Sequence, residues 1–284
     1  MLPFSKLIRI TILGLSVLAV AQRAECSSIV FSASGANAAA IQPTVDSYRT
    51  ALGTLNANVS GSFGSGRREI NWDGVPDALS APNNLPANFF NVNSPRGVVF
   101  STPGTGFQVS ATAASGTPVE FGNIDPNYPL LFAPFSSQRL FTALGSNITD
   151  VTFFVPGTTT PAWTSGFGAV FSDVDAANTS SIQYFDLLGN SLGTFFVPAF
   201  TGNETLSFLG VQFDAGEQIG RVRITSGSQV LTPGNLNLDL AVMDDFIYGE
   251  PVAAAAAVPE PGTLVLAVTG LAALVAARTR RPAR

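Results

Sequence analysis

No histidine occurs in the 284 residues, and that single absence removes Ser-His-Asp and Cys-His catalysis, histidine-ligated zinc and any imidazole general base. Cysteine is nearly absent too: Cys26 stands alone, so no internal disulfide can form. Arg23-Ala24-Glu25 precedes it where a lipid-attachment site calls for small apolar residues, and Cys26 reads as a small residue near a processing site. Lysine occurs once, at Lys6, and charged residues make up only 12% of the chain. Amphipathic helices need Lys and Glu faces, so a chain poor in both, with Gly 27, Pro 19 and Phe 22, favours short strands and many turns.

Positive charge is scarce in the body of the chain. Between Gln22 and Val258 eight arginines face eighteen carboxylates, a net charge of −10. Such a surface repels phosphate backbones, which excludes nucleic acid as a partner and leaves cations and neutral polymers.

The two ends have a different character. Lys6 and Arg9 precede the apolar run Ile10 to Ala21, with small residues at Ala19 and Ala21. A charged lead, a short apolar core and a small-residue cleavage site are the layout of a secretory signal, so residues 1–24 are expected to be a signal peptide cut after Ala21 or Ala24. At the other end Thr263 to Ala277 carries no charge and is followed by Arg278, Arg280, Arg281 and Arg284. A helix over that run rises about 22 Å, against a hydrocarbon slab of roughly 30 Å, so it spans only marginally. The positive-inside bias keeps the arginines cytoplasmic, which leaves everything before Val258 outside. Pro259 and Pro261 stop a helix from running back toward the body and hold Glu260 in an extended segment.

Val258-Pro259-Glu260-Pro261, then an apolar segment over 263–277, then the arginine-rich tail 278–284, resembles the PEP-CTERM sorting signal of bacterial envelope proteins. The resemblance implies an exosortase partner that reads the Pro-Glu-Pro motif and processes the tail. It also implies a single transmembrane sorting helix that holds the chain at the membrane before processing. Export through the inner membrane to the cell envelope or the extracellular space follows, in the company of exopolysaccharide and biofilm formation.

Between these ends, residues 27–250 form one expected ectodomain, joined to the tag by the Ala-rich linker 251–257. Ile41, Val45, Tyr48 and Leu52 recur at helical spacing with Gly53 as a stop, predicting one helix of about 11 to 12 residues that begins near Ile41 and lies on a sheet. The remainder is strand-like: runs at Gly166 to Asp173, Ser181 to Asp186, Leu192 to Val197, Leu206 to Phe213, Ile219 to Thr225 and Leu238 to Tyr248 are among about ten expected strands. Gly189-Asn190 predicts a tight hairpin. The fold class is therefore mainly β, a jelly-roll-like antiparallel sandwich with one short N-terminal helix. The strand pattern over roughly Thr149 to Glu250 also resembles ectodomains of PEP-CTERM proteins and, more loosely, carbohydrate-binding-module sandwiches.

Asp173 and Asp175, two apart at a strand end, share a face with Phe167 and Phe171; Asp244 and Asp245 open the last strand segment, with Asp239 shortly before. If those strands neighbour one another, Asp173, Asp175, Asp244 and Asp245 are candidate Ca²⁺ ligands, calcium being a metal that takes six to eight oxygens. The competing reading is that each aspartate caps its own strand or turn. Trp163, in a Thr-Pro-rich loop, is the candidate ring for stacking on a sugar face, whereas Trp72 is expected in the core. Two carboxylates alone suffice for glycoside hydrolysis, with Glu69, Asp73, Glu120, Asp125, Asp186 and Glu217 as candidates. The leading expectation is a non-enzymatic envelope or matrix protein that binds polysaccharide. A carboxylate hydrolase and a protein-binding adhesin or structural module are the alternatives.

Overall fold

A computed structural model describes residues 27–236 and 239–254. Both expected targeting ends, 1–24 and 258–284, lie outside the described residues. The described elements run β1 (Ser28–Gly35), α1 (Ala38–Leu52), β2 (Arg67–Ile70), α2 (Phe89–Val92), β3 (Val98–Ser101), β4 (Gly106–Val109), β5 (Phe141–Leu144), β6 (Ile148–Phe153), β7 (Ala162–Trp163) and β8 (Gly166–Ser172). They continue with β9 (Ser181–Asp186), β10 (Ser191–Phe196), β11 (Leu206–Phe213), β12 (Ile219–Thr225), β13 (Val242–Gly249) and β14 (Val252–Ala253). The chain is mainly β, and its sheets are antiparallel. One sheet has the order β1-β11-β8-β13-β5-β4, with β2 also paired to β13; the second has the order β10-β9-β12-β6-β3.

The two sheets face each other across an aromatic core. Phe167, Ala169 and Phe171 of β8 meet Ile182 and Tyr184 of β9 and Val222 and Ile224 of β12. Alternate residues of the first sheet point the other way: Val170, Phe208 and Ile247 receive Ile41, Val45, Tyr48 and Leu52 of α1. With a partner on each face, β8 and β13 are buried along their whole length, which is why their sequences lack the polar alternation of a half-exposed strand. Trp72 lies in the core as expected, its ring stacked on Phe141 at 4.1 Å and its Nε1 donating to the Asp244 carbonyl at 2.9 Å.

The helix is longer than its apolar stripe. Asn37 caps it, its Oδ1 accepting from the Ala40 amide at 3.2 Å, so α1 starts three residues before Ile41 and carries Pro43 inside rather than at its entry. Glycines let it sit close to the sheet. A Cβ on Gly168 would lie 2.9 Å from Cε1 of Tyr48, and one on Gly210, which pairs with Gly168, 3.0 Å from the same ring.

The expected hairpin is present between β9 and β10. Asp186 builds its turn by accepting from the Leu188 and Asn190 amides, both at 2.8 Å, while Gly189 takes φ 85°. The expected linker begins later than its composition implies, because Val252 and Ala253 pair with Trp163 and Ala162 as β14 on β7. Among the described residues no helix is long and apolar enough to cross a membrane.

Candidate functional site

The register of β13 on β8 decides where the aspartates go. Met243 faces Phe171 and Phe246 faces Ala169, so Asp244 and Asp245 together oppose Val170 in a β-bulge. A bulge breaks the up-down alternation of a strand and re-aims its side chains. Both aspartates consequently meet one residue of the segment before β5. Asp244 Oδ2 accepts from the Phe135 and Ser136 amides at 2.6 and 3.1 Å, and Ser136 Oγ lies 3.4 Å from Asp244 Oδ1 and 2.6 Å from Asp245 Oδ1.

Asp245 reaches onward to Arg49 of α1. Arg49 Nη2 lies 3.1 Å from Asp245 Oδ2 and 3.0 Å from Glu69 Oε2, while its Nε donates to Glu69 Oε1 at 3.1 Å. Arg67 Nε adds a bond of 2.7 Å to the same Oε1. Glu69 stands on β2, where its neighbour Ile70 pairs with Phe246, and the β2–β13 pairing is what carries the two acids to one guanidinium. The group opens into a cleft of ≈ 310 Å³ lined by Arg49, Leu55, Asn58, Glu69, Asn71, Arg96, Ser136 and Asp245.

Burial governs the electrostatics. It pushes Asp244 well above the usual carboxylate range, and the adjacent Asp245 charge adds to that rise. Asp245 is raised as well, first by burial; Ser136 and Arg49 partly offset the effect. Burial opposes the charge on Arg49, but hydrogen bonding and attraction from Glu69, then Asp245, outweigh it and hold the guanidinium above its ordinary value. The result is a buried Asp244 behind an arginine clamped between two acids, fronted by amide and carboxylate groups able to exchange hydrogen bonds with hydroxyls.

The four candidate calcium ligands are not brought together. Asp173 ends up with Asp175 and Asp239, at the end of β8 away from Gly166. Its φ of 69° ends the strand alternation that would have aligned it with Phe171. Burial, then Asp175 and Asp239, raise its pKa to about 8, and its Oδ1 and the Asp239 Oδ2 are buried without a hydrogen-bond partner. Asp175 accepts from the Gly202 amide at 2.7 Å, and its own amide donates to Asp239 Oδ1 at 2.7 Å. Among the described residues no group of three or more such side chains is arranged to hold a metal ion. Trp163 is half-buried on β7, where it pairs with Val252.

Of the acids weighed for hydrolysis, Glu69 alone lines the cleft. Asp73 caps the segment before β5 by accepting from the Arg139 amide at 3.1 Å, Asp125 accepts from the Gly234 amide at 2.6 Å, and Asp186 belongs to its hairpin. Glu217 binds the Ser27 amide at 3.1 Å. Glu120 has Glu204 nearby, and burial followed by that charge raises its pKa. Arg68, adjacent to Arg67, is buried against Glu250 at 2.7 Å. Sequence reasoning missed Arg49 and Ser136. Arg49 immediately follows the buried Tyr48 and so flanks the apolar stripe, which is the signal that marks a guanidinium reaching over a sheet edge.

Comparison with known proteins places the carboxyl end. Residues 257–281 match the model of the PEP-CTERM protein-sorting motif. The motif marks an exported protein that is sorted by exosortase and processed at its C-terminus. No curated protein matches the chain. Among solved structures, the enzymatically active domain of tailspike protein 4 of bacteriophage CBA120 aligns with 68% of this chain and 23% of its own length, at 16% identity and a TM-score of 0.27.

Proposed function

We propose that this exported protein is a non-enzymatic component of the cell envelope or extracellular matrix whose sandwich binds polysaccharide, such as the exopolysaccharide of a biofilm, at the Arg49 cleft. The observation that carries the reading is the clamping of Glu69. One of its oxygens accepts from Arg49 and Arg67 and the other from Arg49. A carboxylate saturated in this way is a poor general acid or base, but the same rigid array of donors and acceptors suits the hydroxyls of a neutral sugar. The acidic body, with its net charge of −10, favours uncharged polymers over anionic ones.

Binding of the full chain to a panel of bacterial exopolysaccharides tests this. Asn58→Ala with Asn71→Ala, both at the cleft mouth, is expected to weaken the best ligand about tenfold, the equivalent of one or two lost hydrogen bonds. Unchanged binding would remove the cleft from the reading. One observation favours a second reading: Asp245, raised by burial, stands on the same guanidinium as Glu69, and a pair of carboxylates is the equipment of a glycoside hydrolase. Release of reducing ends from those polymers, abolished by Glu69→Gln, would put that reading first.

A further inference from the structure

Both ends of the described chain leave from one pole. Ser27, the first described residue, donates to Glu217 Oε1 at 3.1 Å. Glu217 and Ala254, the last described residue, line one cleft of ≈ 490 Å³ together with Leu187, Leu188 and Leu192. Ala254 is fixed there by its amide, which donates to the Pro161 carbonyl at 3.0 Å, next to the strand that carries half-buried Trp163. The hairpin tip at this pole is apolar and uncovered, Leu188 being 87% exposed and Leu187 38%. No basic residue lines the cleft. Its two acids are engaged locally, Asp186 by its own turn and Glu217 by the Ser27 and Ala215 amides.

Chain length fixes what lies nearby. Eight residues separate Ala254 from Thr263, where the apolar run starts, so even fully extended they let this pole stray only about 30 Å from the membrane surface. A tether that short gives the surface a high local concentration at the leucine tip, so even a weak contact sets orientation. Leucine and tryptophan are side chains suited to the interfacial layer of a bilayer.

We propose that the pole bearing Leu187, Leu188 and Trp163 rests on the lipid bilayer surface while the C-terminal segment holds the chain there, a reading that depends on anchoring through residues 263–277. The contact is apolar and therefore little affected by salt on a zwitterionic surface. The opposite pole, where the Asn203 side chain donates to the Leu130 carbonyl at 3.0 Å and Leu130 is 64% exposed, points away from the membrane.

The test uses the full chain reconstituted into phosphatidylcholine vesicles. In a Cys26→Ser background, Leu188→Cys and Leu130→Cys each carry one environment-sensitive fluorophore, and lipid-borne nitroxide serves as quencher. Quenching several-fold stronger at position 188 than at 130, and unaltered by added salt, is the expected result. Equal quenching with the chain floating on the vesicles overturns the inference alone; failure to float overturns the anchoring as well. Tryptophan fluorescence of the unlabelled chain gives an independent reading, since Trp72 is sealed in the core at 1% exposure. Lipid-borne nitroxide should quench the part of the signal that Trp163→Phe removes, and no such quenching would equally overturn the proposal.

Discussion

Arg49 and Asp245 stand 196 positions apart in the chain and 3.1 Å apart in the fold. Through that contact and the matching one to Glu69, a single guanidinium joins α1 to β2 and β13. Only 3% of the Asp245 side chain is exposed, so little water is available to replace the partner.

Arg49→Met should therefore cost about 3 kcal/mol, since removing one member of a buried pair leaves the other uncompensated. Urea denaturation should show a lower midpoint at unchanged slope. Adding Asp245→Asn to that variant should recover part of the loss, and strictly additive losses would contradict the coupling.

Asp173 sets a pH dependence. Burial with Asp175 and Asp239 keeps it protonated to about 8, whereas an aspartate in the unfolded chain titrates near 4. Its contribution is then fully present below pH ~4 and is lost progressively as pH climbs to about 8, because only the unfolded form gains by ionising. Asp173→Asn should flatten this part of the stability curve and raise the thermal midpoint at pH 8 by a few degrees. A variant with the original pH slope would show that another group is responsible.

The close seat of α1 makes a third outcome specific. Gly210→Ala should destabilise the protein by about 1–3 kcal/mol, because the new methyl meets the Tyr48 ring and Phe208 Cζ at 3.0 and 2.9 Å. Tyr48→Leu in that background should restore part of the loss. Gly189→Ala, with nothing near its Cβ but a φ of 85°, should cost only about 1 kcal/mol through backbone strain. Thermal melts of the set separate crowding from conformation.

Much of the sandwich was legible because its strands are bounded by turn residues. β9, β11 and β12 begin and end where the apolar runs do. The buried residues of α1 are the four of its stripe, although the helix begins three residues before Ile41, where Asn37 caps it.

The site was less legible for a local reason. Adjacent aspartates in a regular strand point to opposite faces, and nothing in "VMDDF" announces the bulge that sends Asp244 and Asp245 to the same serine. Nor does "FSDVD" disclose the left-handed turn at Asp173. Which acids converge depended on backbone irregularities and on register across distant strands, neither of which composition or periodicity records. The carboxyl-terminal signal was readable without any fold, because a short linear motif is fully contained in neighbouring residues.

The place of β13 bears on delivery across the membrane. This late strand, ending at Gly249, is inserted between β8 and β5 and also holds β2, so the middle of the larger sheet is vacant until nearly the whole polypeptide has emerged. A chain that has not yet delivered residues 242–249 lacks the central strand of that sheet. The body can lock only once β13 has been delivered, so its final folding comes late in export, shortly before the C-terminal sorting motif follows.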